Sequence, residues 1–220
     1  MNNFNLDYTI ENIFAIPIHY FKIKNFDNSV AGPEPSGSNE KPEALKDKLI
    51  NYAYNLKDKQ PDGDNHSNKG GWQSESFTLL NEKDEVHDIL IRIIGSIPTI
   101  KPEIDMEIQS WFNISTPEAY NENHCHPNSD LAGVLWVKIP ENSGDFIFNS
   151  PYEYKSFIEM HSYTDDLLRD SKYYHTYKYP PREGCILIFP AHLQHRVQKN
   201  QSSEDRISIS FNIKLLGVNY

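Results

Sequence analysis

The sequence predicts a mainly β fold, a jelly roll or barrel of short antiparallel strands with two helices laid over one sheet. Three observations carry that expectation. From about residue 103 the apolar residues recur with period two instead of at helical spacing. The runs rich in Ile, Val, Phe and Trp are separated by turn signals such as Asn142-Ser143-Gly144. The aromatic residues, 13 Tyr, 11 Phe and 3 Trp, sit among β-branched residues in the second half, which suits a pleated surface better than a helical bundle.

Residues 13–23 (IFAIPIHYFKI) alternate well enough for a strand, and Pro17, with no N–H to give to a ladder, places it at a sheet edge. Residues 31–42 are turn-rich and solvated. Leu45, Leu49, Ile50, Ala53 and Leu56 then fall at helical spacing, so a surface helix is expected. Residues 58–71 are too polar and too rich in Gly, Asn and Asp for packing to be expected. A second helix follows, with Asn81 as N-cap, acidic residues in the first turn, and Val86, Ile89, Leu90, Ile93 and Ile94 as its apolar stripe. Strands are expected at 103–115, 131–140, 144–151, 185–190 and 206–216. With no internal repeat and no linker-bounded segment, the chain reads as one domain over 1–220. It has a strand-plus-helix support region over 1–102 and a jelly-roll core over 103–216.

A formal charge of -10 and a sequence pI near 5.3 leave no basic surface for nucleic acid or an anionic membrane. Any acidic ligand must then be held by a few local cations. Nowhere do 18 apolar residues run together, and the opening residues lack the basic and apolar regions of a leader, so a soluble, unprocessed, cytoplasmic protein is expected. Cys125 and Cys185 show neither a CxxC nor a secreted-scaffold pattern, which favours reduced thiols. The acidic helical half either shields a sheet or forms a homodimer face.

Chemistry-bearing residues concentrate in two segments. In NENHCHPNSD (121–130), His124 and His126 stand two apart, and side chains i and i+2 of a strand leave one face, so both imidazoles can reach one metal. Such a pair also fits exposed or hydrogen-bonded histidines. FPAHLQHRV (189–197) adds His192 and His195 directly after an apolar strand, and Arg206 opens the next one. Cys125 should face away from its neighbours' ligand side, as a core or packing residue. His19, His66, His87, His161 and His175 have no partner at metal-ligand spacing. The chain has no Gly-rich phosphate loop, no Gly-x-Ser-x-Gly elbow and no Cys-His nucleophile pattern.

The blocks WFN (111–113), HCHPNSDLAGVLWV (124–137), GDFIF (144–148), PREGCILIFPAHLQHRV (181–197) and RISISFN (206–212) together resemble the 2-oxoglutarate/iron(II)-dependent oxygenases. The nearest likeness is to a group of oxygenases of about this length from marine bacteria and phages. That resemblance implies a double-stranded β-helix core, Fe(II) as metal, and 2-oxoglutarate as cosubstrate. The family binds iron through a His-x-Asp/Glu pair and a distant His. Here the residue two after His124 is His126, and the residue two after His126 is Asn128. We expect a catalytic metal centre of His124, His126 and His195, with Asp130 or Glu122 left open as a carboxylate ligand. His195 is preferred over His192 because the family places an Arg or Lys shortly beyond that ligand, where Arg206 stands.

On the same resemblance, Arg206 receives the distal carboxylate of 2-oxoglutarate, for which a guanidinium offers two parallel donors. Ser208, on the same strand face, adds a hydroxyl, and Asn113 hydrogen-bonds the cosubstrate or the substrate, with Trp111 as a wall. Relatives carry Ser-Gly-Val-Tyr-Tyr where this chain has Ala132-Gly133-Val134-Leu135-Trp136, so hydroxyls from those positions are lost.

The expected activity is hydroxylation of a C–H bond, with conversion of 2-oxoglutarate to succinate and carbon dioxide. The competing readings are a cupin-like three-histidine metalloprotein, cosubstrate-independent or ligand-binding, and a structural jelly roll that binds no metal. Arg206 separates the first two, since only the oxygenase needs a cation beside the iron. A small molecule or a peptide is the expected substrate, and the Tyr-rich stretch 172–181 is expected either to stack on a ligand or, equally well, to be a long β-connection covering the barrel mouth.

Overall fold

A computed structural model describes residues 15–27, 43–64, 66–78, 85–95, 97, 100–101, 103–152, 162–172 and 174–217. The strands are β1 (His19–Lys22), β2 (Asn68–Lys69), β3 (Trp72–Gln73), β4 (Phe77–Thr78), β5 (Asp105–Ser115), β6 (Tyr120–His124), β7 (Leu131–Lys138), β8 (Phe146–Asn149), β9 (Thr176–Tyr179), β10 (Cys185–Pro190), β11 (His195–Val197) and β12 (Arg206–Leu216). The helices are α1 (Leu45–Lys59), α2 (Glu85–Gly95) and α3 (Asp165–Ser171).

All pairings are antiparallel. The larger sheet runs β1-β10-β7-β12-β5-β3, with β4 also on β5, and the smaller runs β2-β6-β11-β8-β9. Period-two alternation sorts the long strands into two faces. On β12, Ile207, Ile209, Phe211 and Ile213 leave on one side and join Phe112, Ile114, Leu135 and Ile188. That side is covered by Leu49 and Ala53 of α1 and by Leu90 and Ile94 of α2. On the other face, Val134, Trp136, Leu187 and Phe189 of the larger sheet meet Phe146 and Phe148 of the smaller one. The larger sheet is therefore a shared wall, with helices on its outer face and the second sheet on its inner face, a jelly roll with helical backing. Among the described residues no helix is long and apolar enough to cross a membrane.

The expected strands of the second half and helix α1 stand where the periodicity puts them, and β1 is an edge strand. The Asn81 cap lies outside the described residues. One expectation fails: within residues 58–71, the stretch around Asn68 packs. Asn68 is buried, and β2 pairs Asn68 with Asn121 and Lys69 with Tyr120 on β6. Composition misled because the polar side chains here bond to backbone. The Asn68 amide donates to the carbonyls of Asp64 and Gly71, and Trp72 Nε1 to that of Gln60. Period-two reading also passed over the short strands β6 and β11, which carry His124 and His195, and β9. Inside the Tyr-rich stretch, β9 is the edge of the smaller sheet, paired to β8.

Gly133 reports how tightly the shared wall is packed. It faces Phe211 across the β7–β12 ladder, and a Cβ there would lie 2.3 Å from Phe211 Cζ and 2.9 Å from the Leu187 carbonyl oxygen. Gly133→Ala is expected to destabilise the protein by about 2 kcal/mol through overpacking. Urea denaturation should show most of that loss recovered when Phe211→Leu is added, and an unchanged midpoint in Gly133→Ala would refute the packing.

Candidate metal centre

His124 is the last residue of β6 and His195 the first of β11, and the two are direct cross-strand partners. His126 lies just past the end of β6, so simple strand alternation does not deliver it. It is placed by the turn that follows, where its N–H donates to the Ala191 carbonyl at 2.9 Å. The three rings converge, with centroids 4.3 Å apart for His124 and His195, 5.1 Å for His124 and His126, and 5.2 Å for His126 and His195. One nitrogen from each lies within 4.8 Å of the others, a grouping that could hold a metal ion.

Two of the rings are oriented by backbone. His124 Nδ1 stands 2.7 Å from the Glu122 carbonyl and His195 Nδ1 2.8 Å from the Leu193 carbonyl. A carbonyl only accepts, so each Nδ1 carries the proton and each Nε2 keeps its lone pair for a metal. His195 is buried among Phe146, Phe148 and Phe189, the Phe146 ring stacked on it at 5.2 Å. Burial pushes the His195 imidazole down to about 3, helped by neighbouring His124, and the His126 imidazole down to about 4 for the same two reasons. Burial also lowers that of His124, against its bond to the Glu122 carbonyl. All three are neutral at pH 7, the form that ligates.

The carboxylates left open by the sequence stand elsewhere. Asp130 Oδ2 accepts from the Leu215 N–H at 2.7 Å, and Glu122 faces Lys69 at 3.4 Å. His192 is exposed. Cys125 is half-buried beside the site and lines an open cleft, which departs from a core placement, while Cys185 is buried; both thiols are free.

Arg206, Ser208, Asn113 and Trp111 line one cavity together with the three histidines. Arg206 is 4% exposed. Its Nη1 donates to the Ser143 carbonyl at 2.6 Å and its Nη2 to Ser115 Oγ at 3.1 Å, both neutral acceptors. The nearest acids in sequence are engaged elsewhere, Asp205 by Tyr54 Oη at 2.9 Å and Glu204 by Lys138 at 2.9 Å. Among the described residues no carboxylate pairs with Arg206. Burial lowers its guanidinium to about 10, so it remains a cation at neutral pH. Asn113 Nδ2 donates to Ser210 Oγ at 3.0 Å, and the Trp111 ring lies 6.1 Å from that of His126.

Two lining residues have no counterpart in the sequence-based expectations. Ser67 Oγ, held by Asn121 Nδ2 at 3.2 Å, stands 3.4 Å from His124 Nε2, and Gln73 on β3 is buried in the cavity wall. Their signal was the glycine pair before Trp72. Gly70 has φ +72°, and a Cβ at Gly71 would lie 3.0 Å from the Ile114 carbonyl oxygen, so the polar loop passes hard against β5.

The histidine shifts imply a pH-dependent stability. With folded values below the ordinary one near 6.5, the unfolded chain binds protons that the fold does not, so stability falls with pH from about 6.5 toward 4. Between pH 6.5 and pH 5, His126 and His195 should each cost on the order of 2 kcal/mol. Urea melts of metal-free protein at those pH values should show the loss, reduced in His195→Gln. An equal stability at both would refute the buried neutral cluster.

Residues 109–212 match the family model "Putative 2OG-Fe(II) oxygenase". No curated protein matches the chain. Among solved structures, a 2OG-Fe(II) oxygenase family oxidoreductase from Burkholderia pseudomallei aligns with TM-score 0.43 and 12% identity over 59% of this chain, which spans 57% of that protein's length. A Pseudomonas putida prolyl-4-hydroxylase aligns with TM-score 0.49 and 12% identity, covering 78% of this chain and 88% of that one. HygX from Streptomyces hygroscopicus, with nickel and 2-oxoglutarate bound, aligns with TM-score 0.50 and 10% identity, covering 77% and 78%. At that identity the last likeness speaks for the fold. The segment from residue 109 to residue 212 is thus similar to the 2OG-Fe(II) oxygenase family.

Proposed function

We propose that the protein is an Fe(II)- and 2-oxoglutarate-dependent oxygenase that hydroxylates a C–H bond of a small molecule or a peptide. The observation that carries this reading is Arg206, a buried cation without a carboxylate partner among the described residues, in the same cavity as the three histidines. A buried charge held only by neutral groups is costly, and a dicarboxylate would supply its missing partner.

The donor set fits the group. His124, His126 and His195 would hold the metal through their imidazole nitrogens, and neutral nitrogen ligands suit iron. Arg206 would take the distal carboxylate of 2-oxoglutarate, with Ser208 adding a hydroxyl and Asn113 a further polar contact. Ser143 and Ser115 would fix the guanidinium plane before the ligand arrives, which lowers the ordering cost of binding. Phe146, Phe189 and Trp136 keep the far wall of the cavity apolar. Bound there, iron and 2-oxoglutarate supply the oxidative chemistry, in which dioxygen and the keto acid yield succinate, carbon dioxide and the hydroxylated product.

An anaerobic titration with Fe(II) and then 2-oxoglutarate should produce the weak visible charge-transfer band of a keto-acid chelate. His195→Ala should abolish it, and Arg206→Lys should raise the 2-oxoglutarate concentration needed by about 10- to 100-fold, since lysine keeps the charge and loses the fork. Iron binding without any response to 2-oxoglutarate would favour a cosubstrate-independent metalloprotein, and absence of iron binding would end the oxygenase reading.

A further inference from the structure

The pairing of β5 with β12 sets a line of polar side chains on the face turned into the jelly roll, and the line runs past the histidines. Beyond Trp111 it continues with Gln109 opposite Asn212 and Glu107 opposite Lys214, into a wider cleft that opens beside His124 and His126. Gln73 stands at the boundary, lining both the Arg206 cavity and this outer cleft.

Two amides in the cleft wall are unusual. Gln73 is 4% exposed, yet its side-chain amide makes no hydrogen bond with any described residue. Asn212 Oδ1 is fully buried and likewise unpartnered. Other buried amides of the fold are satisfied: Asn113 by Ser210, Asn68 by Asp64 and Gly71, Asn200 by Ser115 and Glu204. Buried polar groups are as a rule paired, so the unpaired Gln73 amide points to a ligand as its missing partner, with Asn212 in the same cleft wall.

The ligand's chemistry follows from theirs. A carboxamide is uncharged and presents a donor beside an acceptor, so it is complemented by a group with the same pair of functions. The charges of the cleft's outer edge, Glu107 and Lys214, are exposed, opposite in sign and cross-strand neighbours, and they select neither an anion nor a cation. Trp111 is on the same face of β5, one step inward of Gln109, and offers a flat apolar surface for the body of the molecule.

We infer that the outer cleft receives the substrate through a neutral group with adjacent donor and acceptor, a carboxamide or a vicinal diol, bonded by Gln73, flanked by Asn212 and packed on Trp111. This rests on the oxygenase reading for the ligand's role as substrate. The lysine and glutamate at the edge tolerate either charge on the rest of the molecule without requiring one.

Saturation-transfer NMR on the full chain, metal-free and again with Zn(II) and 2-oxoglutarate, tests it with four probes: N-acetylglycinamide, methyl α-glucoside, butyrate and butylamine. Transfer is expected to one of the first two and not to the charged pair, and the one that responds identifies the group as amide or diol. Gln73→Leu and Asn212→Leu should each cut that transfer about fivefold or more, with melting temperatures at or above the parent's because an unpaired buried amide is removed. Equal transfer in the variants, preference for a charged probe, or a melting temperature several degrees lower would overturn the inference. Calorimetric 2-oxoglutarate affinity on the same samples separates the two readings. Retained affinity with no neutral-probe transfer sinks the cleft assignment alone, whereas absent affinity with transfer in metal-free protein sinks the oxygenase reading alone.

Discussion

The antiparallel ladder between β5 and β12 is the constraint on which the rest depends. It runs unbroken from Arg206 opposite Ser115 to Leu216 opposite Asp105. Because side chains alternate with period two, one register sends isoleucines and phenylalanines outward to the helices. The same register sends Arg206, Ser208, Ser210, Trp111 and Asn113 inward. A slip by one residue would bury the arginine against α1 and expose the isoleucines to the cavity. Stability of the helical face and composition of the site are thus two readings of one pairing. The site's position is protected by the apolar burial behind it.

Electrostatics of the cavity follow from that burial. Three neutral imidazoles carry no charge to offset a divalent ion, and Arg206 adds one positive charge without a described carboxylate beside it. With metal present the cavity is strongly cationic, inside a chain of formal charge -10. A dianion entering it would be attracted over short range and repelled by the surface at long range, the latter screened at physiological salt. Selection of an acidic ligand is therefore local. A cluster with a carboxylate would already place one negative charge at a bound metal, whereas three imidazoles place none, which makes this cavity more dependent on an anionic ligand.

Much of this was legible in the residues. The period change near residue 103 located the core strands: β12 alternates with its apolar residues toward the helices, while β7 and β10, buried on both faces, read as continuous apolar runs. The histidine pair stood out by its i, i+2 spacing, and His195 and Arg206 by the family resemblance of the blocks that hold them. What escaped detection had weaker physics in sequence. β6 and β11 are too short for a period, and their place comes from pairing with each other across the site. Ser67 and Gln73 belong to a loop whose polar composition mimics solvated chain, although its polar groups are consumed by backbone contacts. The choice of Asp130 or Glu122 as ligand could not be made from spacing, because the Leu215 N–H and Lys69 that occupy them are distant in sequence.

The loop that composition misread is also what closes the site. β2 and β3 bracket the smaller and larger sheets respectively, and the glycine pair between them lets the chain cross from one to the other at the open end of the jelly roll. Ser67 therefore rests on His124 from the small sheet, while Gln73 stands opposite Asn113 on the large one. A side chain at Gly71 would push this crossing off the β5 backbone, displacing both residues at once. The three histidines are set by β6, the turn after it and β11, Arg206 by β12, and the cleft's boundary by this crossing. The chemistry of the cavity and the shape of its mouth thus depend largely on different segments, and Ser67, 3.4 Å from His124 Nε2, is where the crossing touches the histidine cluster.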